Sequence, residues 1–463
     1  MTGTPRRLRL LAGFLLPAAL VACSGPSPGP STPSSASRPA SGGPLSSVGP
    51  AGIGTIIPAP GSDSSIYQPN PRAIVVAIDP GHGGCLDWGV PDPRRRGVQY
   101  SEKTMTLAIA QQLRQMLEAQ GVTVVMTRND DSALAGDHYP PLGCNGPPWR
   151  DVNGDGESGF DPEGAVRTRD ELQARLDLAN IVRADVLLSI HINSLTQGGV
   201  VFEVAATETF YTDETAWGAD VTAPLAQAIQ DGVVASLDRA ADYDRQDRGI
   251  DAHNLFIVAP PLLKTTSDRP DVRKQPTRGA LMPSILTEVG SINLKAEQNL
   301  LASAAGQRAA AEGIFEALTS HFAARRLAVA YLLPELEPGP GTIPTAVAGE
   351  GPPFWLSAAP TDELVVRLTN TGSQPWPADM QLLGGWQASD QPYLRLPPDS
   401  LEPLLSDAIP PLAPGEAIDV RVTLPASGSE PGVAWITLAG PQGPLTDLGQ
   451  PPLQIATMGR TAG

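Results

Sequence analysis

The sequence is poor in positive charge, and its N-terminal apolar run is short. It has 32 Lys and Arg against 49 Asp and Glu, which gives a formal net charge of −17. Nucleic acid and anionic membrane surfaces are therefore poor candidate partners. The N-terminal apolar run, residues 10–22, is well below the roughly 20 residues that cross a bilayer. We expect no permanent anchor helix there.

This N-terminal run has the pattern of a bacterial export signal. Arg6, Arg7 and Arg9 precede it, and residues 20–23 (LVAC) end it. A small residue directly before Cys23 resembles a lipobox, in which the cysteine is acylated and becomes the mature N-terminus. Simple secretion with cleavage nearby is the alternative. We predict an exported protein that Cys23 anchors by lipid to the cell envelope, at the outer face of the membrane or in the periplasm.

Cysteine is scarce, with only three residues in the chain. If Cys23 is lipidated, Cys85 and Cys144 remain, and an even pair in an exported protein is a candidate disulfide. Two free thiols are the alternative. A bridge would hold the 130–161 loop close to His82.

Glycine and proline together exceed a fifth of the chain, which indicates long linkers and many turns. Residues 24–70 are rich in Ser, Pro and Gly and cannot bury a core, so we expect a flexible tether. The predicted segments are a signal peptide at 1–23, the tether at 24–70, a catalytic domain at 71–326, a linker at 327–353 and an accessory domain at 354–463.

Apolar strands alternate with amphipathic helices through the catalytic domain. The predicted strands are 74–78, 122–127, 185–192, 200–205, 255–258 and 284–288, and the predicted helices are 104–120, 169–182, 221–237 and 296–325. Each strand is a continuous apolar run. This pattern predicts a three-layer α/β domain with a mostly parallel central sheet.

The accessory domain has a different pattern. Short alternating runs occur at 363–368, 417–422 and 433–438, with turn residues between them. This spacing predicts a C-terminal immunoglobulin-like β-sandwich. Since no catalytic cluster appears in it, we interpret it as an adhesion or spacing module.

Three polar residues follow predicted strands of the catalytic domain. His82, His191 and Glu288 lie at or just beyond the C-terminal strand ends, where open α/β sheets bind ligands. Glu102 precedes an apolar helix. Alone, His82 suits a structural turn, and Glu102 suits a first helical turn favoured by the helix dipole. Together, two imidazoles and a carboxylate form a ligand set for catalytic zinc, and a second carboxylate can take a proton from water.

The order of the motifs resembles the type 3 family of zinc-dependent N-acetylmuramoyl-L-alanine amidases, which cleave peptidoglycan. The matching segments include 79–84 (DPGHGG), 101–103 (SEK), 189–193 (SIHIN), 247–250 (DRGI) and 288–290 (EVG). The resemblance implies that His82, Glu102 and His191 bind Zn2+ and that Glu288 is the catalytic carboxylate. It also implies hydrolysis of the amide between the lactyl group of N-acetylmuramic acid and L-Ala of the stem peptide.

Two other functions compete with this interpretation. One is a catalytically inactive wall-binding or regulatory lipoprotein with an amidase fold, and the other is a zinc peptidase that acts on peptides without sugar. Segments 85–100 and 130–164 are longer than is usual in the family and suit a lid or a site for a protein activator. We expect Arg175 and Arg248 to orient loops through buried hydrogen bonds.

The second long segment contains half of a calcium loop. Residues 151–156 (DVNGDG) place Asp151, Asn153 and Asp155 at positions one, three and five, with Gly at six. The twelfth position is Pro162 where such loops use a bidentate Glu. Ca2+ is therefore a second candidate cofactor, and a solvated acidic loop is the alternative.

Overall fold

The computed structural model describes residues 74–137, 144–146, 148–153, 169–212, 219–259, 279–333, 357–358, 363–388, 400–423 and 432–457. The predicted signal peptide (1–23), the predicted tether (24–70) and residues 71–73 of the predicted catalytic domain lie outside these ranges, as does Asp155. Within them, no helix combines the length and apolarity needed to cross a bilayer.

The first region of the structure alternates strands with helices. Its strands are β1 (Val75–Pro80), β2 (Thr123–Met126), β3 (Val186–Asn193), β4 (Thr196–Gln197), β5 (Val200–Val201), β6 (Ala205–Tyr211), β7 (Arg245–Ala252) and β8 (Ser284–Ser291). Its helices are α1 (Glu102–Ala119), α2 (Arg169–Ile181), α3 (Ala219–Ala240), α4 (Lys295–Leu301) and α5 (Ala304–Ala324).

Six of these strands form one mixed sheet in the order β2-β1-β3-β8-β6-β7. Strands β2, β1, β3 and β8 are mutually parallel. Strand β6 runs antiparallel to β8, and β7 runs parallel to β6. The predicted α/β fold with a mostly parallel sheet is confirmed.

Helices cover both faces of the sheet. Val76 and Ile78 of β1 pack in one hydrophobic cluster with side chains of α1, α3 and α5. Ala77, between them, packs in a second cluster with side chains of α2. Successive side chains of a strand point to opposite faces, so this division produces three layers.

The structure differs from the predicted elements on the β6 side of the sheet. Residues 255–258 form a turn instead of a strand, because Phe256 and Ile257 bury their side chains in the α2-side cluster. Strand β7 was not predicted, since its sequence RQDRGIDA has few apolar residues. The predicted strand at 200–205 is divided between the two-residue β5 and the start of β6.

The long C-terminal helix of the first region is also divided. The sequence predicts one helix over 296–325, whereas the structure has α4 and α5. Ser303 separates them as the N-cap of α5, where its side chain accepts a hydrogen bond from the backbone N–H of Gly306.

A second region consists of β9 (Val329–Leu332), β10 (Ser357–Ala358), β11 (Glu363–Asn370), β12 (Gln381–Ala388), β13 (Glu402–Pro403), β14 (Ala417–Thr423), β15 (Gly432–Gly440), β16 (Gly443–Pro444) and β17 (Leu453–Thr457). One sheet has the order β10-β17-β15-β12-β13 with β16 beside β15, and the other has the order β14-β11-β9. Val366 of one sheet and Leu382 and Ile436 of the other share one buried cluster.

Strand β9 lies inside the interval that the sequence assigns to the linker. It pairs antiparallel with β11, with Ala330 opposite Thr369. The second region therefore begins almost directly after α5. It also contacts the first region, because Val433 and Trp435 of β15 belong to the apolar cluster that contains Leu176 of α2.

Candidate metal centre

His82 lies in a strained turn immediately after β1. Its φ is +63°, a left-handed conformation that is uncommon for a residue with a side chain. Arg175 donates to the carbonyl oxygens of Pro80 (2.9 Å) and His82 (2.7 Å), and Arg128 donates to those of Pro80 (3.0 Å) and Gly81 (3.1 Å). Two buried guanidinium groups thus hold the turn.

Arg175 is itself held by buried carboxylates. Only 1% of its side chain is exposed, and its nitrogens lie 2.8 Å from Asp79 Oδ1 and 2.8 Å from Glu171 Oε1. Burial alone would raise the pKa of Asp79, but Arg175 and hydrogen bonds from Ser189 and Thr127 lower it. As expected from the sequence, Arg175 orients the chain through buried hydrogen bonds.

The three predicted metal ligands meet in space. Glu102 Oε1 lies 3.2 Å from His82 Nε2 and 3.1 Å from His191 Nδ1. One ligand atom from each residue lies within 4.8 Å of the others. The structure therefore brings together two imidazoles and a carboxylate that are far apart in the sequence.

Glu102 occupies the first position of α1 with 4% of its side chain exposed. Its Oε1 accepts from Ile192 N–H (3.0 Å), and its Oε2 accepts from Val90 N–H (2.8 Å). Burial alone would raise the pKa of Glu102, but His82 and His191 outweigh burial and lower it. The carboxylate stays ionised, and the helix N-terminus favours that charge.

Asp87 fixes the ring of His82. Its Oδ1 lies 2.7 Å from Nδ1 of His82, which leaves Nε2 directed at Glu102. Burial alone would lower the pKa of His82, whereas Asp87 and Glu102 raise it well above the ordinary value. A carboxylate on the far ring nitrogen is the usual support of a metal-binding histidine.

Two glycines let the backbone approach these side chains. A Cβ on Gly81 would lie 2.4 Å from Cε1 of His191, and a Cβ on Gly89 would lie 2.4 Å from both Glu102 Oε2 and His82 Cδ2. Gly89 also has a φ of +60°. The sequence does not identify Asp87 and Gly89 as site residues, and both belong to segment 85–100. That segment forms a wall of the site.

Glu288 lies beside His191 in the parallel pairing of β3 with β8. Within the described residues, its buried Oε2 has no hydrogen-bond partner. Burial raises the pKa of Glu288 well above its ordinary value, and the negative charge of Glu102 adds to the shift. This carboxyl group is suited to carrying a proton.

Glu208 of β6 lies beside Glu288 on the other side. Its Oε2 accepts a hydrogen bond from Nε of Arg248 at 2.9 Å. The sequence suggested a buried orienting role for Arg248, but 42% of its side chain is exposed. Arg248 lies on β7, the last strand of the sheet.

The remaining predicted residues are only partly described. Cys85 and Cys144 are joined as a disulfide with their Cα atoms 6.0 Å apart, and Asp137 Oδ1 accepts from the Cys85 N–H at 2.7 Å. Around Asp151 and Asn153, the described residues form no cluster of candidate metal ligands. Asp155 and Cys23 lie outside the described residues, so calcium binding and lipidation stay predictions.

Comparison with known proteins identifies the family. Residues 76–320 match the model for N-acetylmuramoyl-L-alanine amidase. This match spans more than half of the chain, which therefore belongs to the N-acetylmuramoyl-L-alanine amidase family. The resemblance expected from the sequence motifs is confirmed.

Several known proteins are similar to this chain over about half of its length. The germination-specific N-acetylmuramoyl-L-alanine amidase of Bacillus subtilis (strain 168) is 25% identical over 248 residues, covering 54% of this chain and 79% of the relative. The sporulation-specific amidase of the same organism is 27% identical over 251 residues, covering 54% and 68%. A solved N-acetylmuramoyl-L-alanine amidase from Clostridium difficile 630 is 26% identical, with 54% and 97% covered and a TM-score of 0.36.

Proposed function

We propose that this protein is a zinc-dependent hydrolase of peptidoglycan that cleaves the amide between the lactyl group of N-acetylmuramic acid and L-Ala. One observation carries the proposal beyond the family. His82, Glu102 and His191 place their ligand atoms within 4.8 Å of one another, and the adjacent Glu288 has an unpartnered buried oxygen in the described structure.

The donor set fits zinc. Two imidazole nitrogens and one carboxylate oxygen are a common protein ligand set for a catalytic zinc ion, which keeps its fourth position open. Asp87 supports the ring of His82, as second carboxylates do at such sites. A bound zinc supplies a Lewis acid that polarises a carbonyl and lowers the pKa of water towards about 7.

Glu288 is assigned the proton transfers. Its carboxylate accepts a proton from the water that attacks the lactyl carbonyl carbon. As the C–N bond breaks, Glu288 returns that proton to the departing amine nitrogen of L-Ala. Burial raises the pKa of Glu288, which favours its holding the accepted proton until the amine departs.

The remaining segments fit a role at the cell wall. Cys23 would anchor the chain by lipid, the 24–70 tether would let the catalytic region reach a large insoluble substrate, and the two-sheet region would be an immunoglobulin-like spacing or adhesion module. An inactive wall-binding lipoprotein is not favoured, because the complete set of four site residues is present and gathered in one place.

Digestion of purified cell walls tests the function. We expect mass spectrometry to find stem peptides with a free L-Ala amino group beside intact glycan strands. Chelation should abolish this release, and added zinc should restore it. Products cut within the peptide would support the zinc peptidase instead. Binding of cell walls without any release would support the inactive wall-binding protein.

A further inference from the structure

A charged pair continues the row of polar side chains beyond Glu288. His191 of β3 lies opposite Glu288 of β8, and Glu288 lies opposite Glu208 of β6. Lateral neighbours in a sheet share a face. Arg248 of β7 completes the row through its hydrogen bond to Glu208.

A β-bulge places Arg248 there. Thr207 pairs with Asp247 and Thr209 pairs with Ile250, so two residues of β7 stand opposite one residue of β6. The second of the two, Gly249, has a φ of +77°. Such bulges redirect a side chain and are frequent beside active sites.

Buried groups hold the bulge. Asp247 Oδ1 accepts hydrogen bonds from the Gly249 N–H at 2.9 Å and from Nε2 of Gln230 at 2.6 Å. Gln230 is fully buried in α3 and also donates to the Thr207 carbonyl oxygen at 3.0 Å. The position of Arg248 is therefore set by the core and not only by its contact with Glu208.

The guanidinium group of Arg248 retains free donors. Arginine has five N–H donors in a planar fork, and here Nε contacts Glu208. The two terminal nitrogens contact no acceptor in the parts of the chain that the structure describes. With 42% of the side chain exposed, these nitrogens are open to a ligand. A pair of parallel N–H groups fits a carboxylate.

We propose that Arg248 binds a carboxylate of the substrate, namely the free α-carboxylate of the residue that follows L-Ala in the stem peptide. This inference rests on the proposed function, which places the scissile amide at Glu288. Stem peptides carry there a D-glutamate that is joined through its side chain, so its α-carboxylate is either free or amidated.

The distances suit this assignment. Neighbouring strands lie about 4.8 Å apart, so β7 lies roughly 10 Å from β8 across β6. An extended peptide advances about 3.3–3.6 Å per residue. The Arg248 side chain leans back over β6, where its Nε contacts Glu208. Its guanidinium group therefore lies one strand spacing, roughly 4.8 Å, from β8. One further residue of peptide can cross most of that distance.

The charges on this face also favour the assignment. Glu102, Glu208 and Glu288 share the site, and the chain as a whole is strongly acidic. Away from the zinc ligands, the carboxylate of Glu208 would repel an anionic group of the peptide unless a nearby cation offset it. Arg248 supplies a cation at the place where the peptide continues.

Two substrates that differ in one group test the proposal. They are N-acetylmuramoyl-L-Ala-γ-D-Glu-L-Lys and the same molecule with the α-carboxylate amidated. We expect the wild-type enzyme to prefer the acid. Arg248→Ala should lower kcat/KM for the acid by about 10–100-fold, mainly through KM, as expected for the loss of a charged hydrogen bond. In the same variant, kcat/KM for the amidated substrate should change by less than about threefold.

Matched variants separate binding from structure. Arg248→Lys should retain part of the preference, because it keeps the charge without the fork. Arg308→Ala removes an exposed arginine of α5 that forms an ion pair with Glu312. This variant should leave kcat/KM unchanged for both substrates. If Arg248→Ala lowers kcat/KM equally for the acid and the amide, Arg248 has a structural role instead. If kcat/KM for the acid is unchanged, Arg248 does not contact the carboxylate.

Failure of the proposed reaction can be distinguished from failure of the Arg248 contact. If the wild-type enzyme hydrolyses neither substrate, the assigned reaction is wrong. Calorimetry with the peptides L-Ala-γ-D-Glu-L-Lys and its α-amide then decides the role of Arg248. Tighter binding of the acid that Arg248→Ala removes supports the contact, and equal binding of both peptides overturns it.

Discussion

Asp87 Oδ1 lies 2.7 Å from His82 Nδ1, and this contact selects which ring nitrogen faces Glu102. Asp87→Ala should therefore weaken zinc binding by about 10–100-fold, the usual effect of losing such a supporting group. Competition with a chromogenic chelator measures this affinity without reference to activity. Asp231→Ala, which removes an exposed carboxylate of α3, serves as the control. Equal affinities for Asp87→Ala and the wild type would mean that Asp87 does not orient the ligand.

Glu288 is expected to act on protons and not on the metal. Glu288→Gln keeps the shape of the side chain and removes its ability to exchange a proton, so kcat should fall by roughly 10²–10⁴-fold. Zinc content, measured by atomic emission, should stay at the wild-type stoichiometry. Near-wild-type turnover of muropeptides by this variant would refute the role assigned to Glu288.

Gly89 is expected to be indispensable for the geometry of the site. In Gly89→Ala, the new Cβ would lie 2.4 Å from both Glu102 Oε2 and His82 Cδ2, so zinc affinity and turnover should both fall. Gly121→Ala is the matched control. Gly121 has a φ of +80° with no atom within 4 Å of a new Cβ. Gly121→Ala therefore carries only the cost of the left-handed backbone, about 1–2 kcal/mol. If both variants bind zinc equally well, the close approach at Gly89 is unimportant.

The sequence predicts the four principal site residues because each lies at a recognisable chain position. His191 and Glu288 lie in apolar strands, His82 follows one, and Glu102 begins an amphipathic helix. Hydrophobic periodicity predicts these strands and this helix, and the carboxyl ends of parallel strands lie at one edge of the sheet.

Asp87 and Gly89 have no such signal. Segment 85–100 has no apolar periodicity, and its path depends on contacts with distant parts of the chain, such as the hydrogen bond from Arg94 to Gln298 Oε1 at 2.8 Å. The apolar run at 255–258 predicts a strand that the structure does not contain. Phe256 is buried in a hydrophobic cluster, and such burial needs no strand pairing. Tertiary packing decides both cases.

His321 should make the fold sensitive to acid. This histidine lies in the last turn of α5, where burial and then the positive charge of Arg325 lower its pKa to about 4. In the unfolded chain the pKa is about 6.5. Above pH 6.5 both states are neutral and His321 has no effect. As the pH falls from 6.5 towards 4, only the unfolded chain gains a proton, so the free energy of unfolding decreases.

Chemical denaturation at several pH values measures this dependence. In His321→Gln the decrease between pH 6.5 and 4 should be smaller than in the wild type by on the order of 2 kcal/mol. His253→Gln, which replaces an exposed histidine after β7, is the control. Parallel curves for His321→Gln and the wild type would show that His321 titrates alike in the folded and unfolded chains.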